Sequence, residues 1–241
     1  MCGRYSQQYT WAEVHAFSQP LTLTGPASNL QPHYNIAPTE MAGVLVPQAD
    51  GSLRYERMRW QLVPRWWKKS LKEVPATFNA RAEEVADKPM FRDAFRSRRC
   101  IIPASGFFEW SGPKGDRQPW YITAASGELL GFAGLYDRWR NPETGEEVPS
   151  CTIIVTTANS FMGQIHDRMP VILDRADWQA WIEEPREDLL RPAPEGPLRR
   201  WRVTQAMNSS RYKEADAIEP VEPEGGSASA KRGTIATCQG D

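Results

Sequence analysis

The chain has 241 residues, a formal net charge of −1, 40% hydrophobic and 24% charged residues, which suits a globular protein with ample material for one core. That balance argues against a generic nucleic-acid coat protein. Its longest apolar runs, such as Val44-Leu45-Val46 and Ile153-Ile154-Val155, fall far short of the roughly 18–20 residues of a membrane span. No apolar segment follows the first arginine, so no signal peptide is read and the cytoplasm is the expected location.

The chain starts Met1-Cys2-Gly3-Arg4-Tyr5. Excision of Met1 is efficient before a small residue and would leave Cys2 as the mature N-terminus, with an α-amine and a thiol on adjacent carbons. Unperturbed, these titrate near about 7.7–8.0 and about 8.5, so both are partly nucleophilic at neutral pH. Such a 1,2-aminothiol condenses with an aldehyde to an imine, and the thiol then closes a thiazolidine ring. Position alone favours a cysteine placed second by chance, so the rest of the sequence must decide. The other cysteines, Cys100, Cys151 and Cys238, lack metal-ligand spacing, and with three histidines no zinc site is expected. Cys100 and Cys151 open apolar runs and read as buried, reduced thiols.

Residues 4–7 read as extended. Thr10 with Glu13 forms a capping box for a short helix to Phe17, with Trp11, Val14 and Phe17 on one face. Residues 19–38 carry four prolines and read as loop. Residues 41–47 and 53–59 around Asp50-Gly51 predict a β-hairpin, with 60–63 continuing as strand. Between Arg54 and Lys72 stand seven Lys/Arg against the single acid Glu56, and Arg92, Arg96, Arg98 and Arg99 form a second basic cluster. Such a surface is compatible with a short grip on phosphates, but charge alone favours an ordinary solvated face. Within it, Pro64-Arg65-Trp66-Trp67-Lys68-Lys69 suggests a platform for unstacked bases. One tryptophan in the core and one over a loop is the level alternative.

A helix is predicted through Phe91, Ala94 and Phe95, then a strand over 100–110 broken by Pro103 and Gly106. Glu109 lies among aromatic residues, where lost hydration would raise a carboxyl pKa. Strands follow at 119–123, 129–136 and 151–157, with a loop at 141–145. Ile165-His166-Asp167-Arg168-Met169-Pro170 forms an acid/base station with a cation beside it. Asp174 is expected to cap a helix bearing Trp178 and Trp181, and 198–204 to form the last strand. Residues 1–220 read as one domain, and 221–241 as a flexible tail. The fold class is α+β: a mostly antiparallel, curved or barrel-like sheet with short helices.

Four separated motifs resemble the SRAP (SOS response-associated peptidase) family: Cys2-Gly3-Arg4-Tyr5, Asn79-Ala80-Arg81 with Glu83, Gly106-Phe107-Phe108-Glu109-Trp110, and the 165–170 station. The Trp66-Trp67 loop also looks like the family. The resemblance implies that mature Cys2 crosslinks abasic sites in single-stranded DNA through a thiazolidine that shields the lesion. It implies lyase-like imine chemistry after autoproteolytic loss of Met1, with no cofactor. Carried over, Asn79 positions the Cys2 end and the opened sugar, and Glu109 with His166 forms the acid/base pair. Arg4 and Arg81 hold phosphate, Trp66, Trp67 and Arg168 complete the DNA contacts, and the protein acts as a monomer near the nucleoid. Glu84, Ser105 and Phe108 stand where the family more often has threonine, aspartate and tyrosine.

Two other classes remain in view. An N-terminal-nucleophile hydrolase also matures to a chain starting Cys-Gly, but requires oxyanion donors and leaves the Trp-bearing basic loop unexplained. A non-covalent single-strand binder would leave Cys2 incidental.

Overall fold

A computed structural model describes residues 3–25 and 29–221. Met1, Cys2, Cys238 and the tail from 222 therefore lie outside the described residues. Thirteen strands run in chain order: β1 (Arg4–Gln7), β2 (Leu23–Thr24), β3 (His33–Ile36), β4 (Met41–Pro47), β5 (Leu53–Trp60), β6 (Asn79–Arg81), β7 (Arg99–Ala104), β8 (Gly106–Ser111), β9 (Gln118–Ala124), β10 (Leu130–Arg140), β11 (Glu147–Thr157), β12 (Arg168–Pro170) and β13 (Leu198–Arg202). The helices are short: α1 (Trp11–Ser18), α2 (Arg92–Ser97), α3 (Ser160–Gly163) and α4 (Trp178–Glu183).

Strands β11, β10, β7, β4 and β5 pair in that order, and a parallel contact, Cys151 opposite Trp60, joins β5 back to β11. A closed five-stranded barrel results, which removes the open edges a sheet would otherwise expose. A second, antiparallel sheet has the order β13-β9-β8-β1-β3. The expected curved, mostly antiparallel α+β fold is the one observed.

Alternation sorts the side chains. Val44, Met58, Trp60, Cys100, Ile102, Phe132 and Ile153 share one core with Tyr5, Ile36, Phe107 and Ile122 of the second sheet. Tyr5 meets the Trp60 ring edge-on at 4.8 Å and Phe107 meets Phe132 at 5.9 Å, locking the two sheets together. Leu45, Ile101, Ala133 and Ile154 face the other way and are covered by α1, α2 and α4. With both faces buried, β4 and residues 100–104 of β7 are apolar instead of alternating. Buried Arg99 ties two helices to the barrel, donating to the Phe95, Trp181 and Ile182 carbonyls.

The capping box is present: Thr10 Oγ1 accepts from Glu13 N–H, and the Glu13 carboxylate accepts from Thr10 N–H at 2.6 Å. The hairpin also forms, with Gly51 at φ 82° in its turn. Several boundaries move. Residues 19–38 contain β2 and β3, whose partners β5 and β1 are distant in sequence. Strand β5 stops at Trp60, since Gln61 turns to bond Arg59 O. The 100–110 strand breaks at Ser105, where the chain changes sheets, while Pro103 stays inside β7. Gly106 follows because a Cβ there would lie 2.4 Å from the Tyr121 ring. Asp174 precedes the turn leading to α4, but its side chain makes no cap bond.

Candidate functional site

Strand β11 organises the first half of the site. Its C-terminal half is flanked by β6, with Asn79 opposite Ile153 and Arg81 opposite Val155, and by β12, with Arg168 opposite Thr157. Asn79 and Arg168 are thus carried on the two sides of one strand. Arg168 donates to Glu83 at 2.6 Å, bridging the two motifs. Asn79 is buried, and Arg81 is exposed and lies 3.7 Å from Glu84.

His166 sits between α3 and β12, with its N–H bonded to the Met162 carbonyl at 3.0 Å. Its Nδ1 accepts from Arg168 N–H at 3.0 Å and also lies 3.0 Å from the Asp167 carboxylate. These contacts select opposite protonation states. Accepting from Arg168 requires a bare Nδ1, as in the neutral Nε2–H tautomer, whereas donating to Asp167 requires a proton on Nδ1, in the cation or the neutral Nδ1–H tautomer. Burial lowers the His166 pKa, Arg117 adds to that, and Asp167 opposes it. The neutral form therefore dominates at neutral pH.

Glu109 comes from the second sheet. Phe107 and Glu109 point to the shared core, while Phe108 and Trp110 point to the other face. At 2% exposure Glu109 has almost no contact with solvent, and burial pushes its carboxyl up to about 7. The Trp110 N–H and Arg117 pull against that shift, and Asp167 reinforces it. Asp167 and Arg117 act on His166 as well, so Glu109 and His166 occupy one electrostatic neighbourhood. One group is half-protonated and the other largely neutral near pH 7, which suits proton transfer in both directions.

The remaining expected residues separate. Arg4 lies on the opposite face of its sheet from Glu109, donating to the Met207 and Ser209 carbonyls at 2.8 and 3.0 Å with its guanidinium 4.8 Å over the Trp110 ring. That anchors the segment following β13. Trp66 is exposed, whereas Trp67 packs with Val63, Val74 and Trp139. Their loop is held by Trp139 Nε1 donating to Trp67 O at 2.7 Å and by Arg65 bonding buried Asp137. The paired tryptophans thus divide, one exposed and one packed. Much of the basic clustering is also used internally: Arg54 pairs with Glu56, Lys69 with Glu73, and Arg98 with Asp137.

The sequence pattern of the SOS response associated peptidase (SRAP) family matches residues 1–210. The chain belongs to that family. It is 37% identical over 229 residues to the abasic site processing protein YoqW of Bacillus subtilis, covering 91% of this chain and 99% of the relative. It is 33% identical over 198 residues to the abasic site processing protein HMCES of Xenopus tropicalis, covering 69% of this chain and 59% of that one. A crystal structure of a Bacteroides thetaiotaomicron protein superposes with a TM-score of 0.77 at 24% identity, covering 92% of this chain and all of the other, and so shares the fold.

Arg117 and Asp167 were not singled out as tuning charges, since their effect on Glu109 arises only through the fold. Thr39 adopts φ 77°, a conformation that is strained for a β-branched residue. It is held there by its N–H bond to Trp60 O at 2.8 Å, behind the Trp60 ring that abuts Phe78 beside Asn79. A cavity of about 630 Å³ lies on the other face of the second sheet, with Tyr121, Thr123, Arg199 and Trp201 in its wall. None of the expected site residues lines it. No helix among the described residues is long and apolar enough to cross a membrane.

Proposed function

We propose that the chain processes abasic sites in single-stranded DNA by closing a thiazolidine on them through Cys2, after loss of Met1. The observation that carries this reading is the buried Glu109 carboxyl at about 7 in one electrostatic neighbourhood with a neutral imidazole. The relatives named as abasic site processing proteins support it at the level of DNA processing. Chain connectivity supports it too. Two Cα steps of about 3.8 Å each separate Cys2 from Arg4, and Arg4 pairs with Phe108 beside Glu109.

The steps follow from the groups. The abasic sugar rests mainly as a cyclic hemiacetal; the protonated fraction of His166 gives a proton to its ring oxygen while the anomeric hydroxyl loses one to solvent, so the ring C–O bond breaks and the aldehyde is released. The Cys2 amine adds to the aldehyde carbon. The carbinolamine then loses one water, its hydroxyl protonated by Glu109, to give the imine. The Cys2 thiolate adds to the imine carbon and the nitrogen takes up a proton, closing the five-membered ring. Overall one C–N and one C–S bond form and one water leaves. Asn79 orients the sugar without titrating, Arg81 and Arg168 hold neighbouring phosphates, and Trp66 stacks a base. Arg4 acts by fixing the start of β1 rather than by a phosphate contact.

The test is a denaturing gel of mature protein incubated with single-stranded DNA bearing one abasic site. A heat-stable shifted band that disappears in Cys2→Ala is expected. Absence of that band with the native sequence overturns the reading.

A further inference from the structure

Cross-strand register places three residues in one row on the Glu109 face of the second sheet. Glu109 pairs with Trp120 on β9, and Trp120 pairs with Arg202 on β13. Directly opposed residues point to the same side, so the row runs from a buried carboxyl through a half-buried indole to an exposed guanidinium at the sheet edge. Two strand spacings of about 4.8 Å separate its ends.

The row has aromatic and cationic character throughout. Arg202 lies 5.4 Å from the Trp120 ring centroid, and Arg200 lies 5.6 Å from the same ring. Arg200 is committed inward: it sits 4.4 Å over Phe161 and donates to the Phe161 carbonyl and to Gln164 at 2.5 Å, holding the helix that leads into His166. Among the described residues, Arg202 has neither an ion pair nor a side-chain hydrogen bond. Several other surface arginines are ion-paired, as Arg54, Arg138, Arg168 and Arg186 illustrate. Edge protection accounts for a charge on an outer strand. It does not account for two guanidiniums over one indole with no acid between them, in line with a carboxylate tuned for proton transfer.

We propose that Arg202 and Trp120 form a subsite for the strand flanking the reacting sugar, Arg202 meeting a backbone phosphate and the ring edge of Trp120 meeting the adjoining base. This rests on the reading that the partner is single-stranded DNA. The row would lead the strand from the Glu109 end across the β13 edge. The phosphate supplies the anion that the protein lacks at this point, and Arg suits it better than Lys because a planar fork can stack and bond at once.

The test measures binding of the full chain to an undamaged single-stranded oligonucleotide by fluorescence anisotropy across a salt series. Arg202→Gln is expected to weaken binding about three- to tenfold at low salt and to flatten the slope of log K against log salt by about 0.7, one phosphate's worth. Arg202→Lys should restore the slope. Arg199→Gln removes the same charge from the same strand but from the other face, where Arg199 stacks on Trp201, and should leave the slope as in the native protein. An unchanged slope in Arg202→Gln, or an equal loss in Arg199→Gln, overturns the subsite. If that occurs while the Cys2-dependent crosslink still forms, the subsite alone falls. If the native chain shows neither salt-dependent binding nor a crosslink, both readings fall.

Discussion

Replacing Glu109 with glutamine separates the carboxyl's chemistry from its shape. The side chain is 2% exposed and its carboxyl is raised from 4.5 to about 7 by burial. A carboxyl with a raised folded-state pKa favours folding through its protonated form. That stability is fully present below about pH 4.5 and is lost as the pH rises through about 7. Integrating between those values, ionisation costs the native protein about 1 kcal/mol at about pH 5.5 and about 3 kcal/mol at about pH 8, a difference of about 2 kcal/mol. Glutamine keeps an acceptor for the Trp110 N–H and does not titrate. Urea denaturation at the two pH values should therefore show the variant gaining about 2 kcal/mol on the native protein as the pH rises, or roughly 4–8 °C in a melting curve. Crosslinking should slow by about a hundredfold or more in the same variant, and the native rate should fall above about pH 7. A stability difference that is flat with pH would refute the buried, tuned carboxyl. An unchanged rate would remove Glu109 from the chemistry.

An uncleavable N-terminal extension should abolish the crosslink on a denaturing gel while leaving DNA binding in place, because the amine is a reactant. Trp66→Ala should cost about 1–3 kcal/mol in single-strand affinity, read by anisotropy, with little change in melting temperature. Trp67→Ala should instead lower the melting temperature, because that ring packs with Val63, Val74 and Trp139. Gly106→Ala should destabilise the fold by several kcal/mol in urea, since the new methyl meets the Tyr121 ring and the Ile122 carbonyl at 2.4 and 2.6 Å. His166→Ala should slow crosslinking while leaving affinity for undamaged strands intact, as measured by gel time courses and anisotropy.

The sequence by itself determined what depends on near neighbours in the chain. The Thr10–Glu13 cap and the Asp50-Gly51 hairpin are local signals that local bonds satisfy, and the apolar runs of β7 and β11 are legible as strands before their partners are known. The motif residues Asn79, Glu109 and His166 were also legible as residue types suited to imine chemistry. Tertiary structure decided what depends on register and closure. The parallel contact that closes the barrel joins Trp60 to Cys151, and β2 and β3 exist only through strands far along the chain. The face of a strand is fixed by pairing, so Arg4 turned from Glu109 toward the 207–209 carbonyls while Arg202 came into its row. The same physics divided the two tryptophans, because adjacent residues on an anchored loop cannot enter one core together. The identity of the titratable groups is written in the chain; their protonation and their neighbours come from burial and strand pairing, which only the folded molecule supplies.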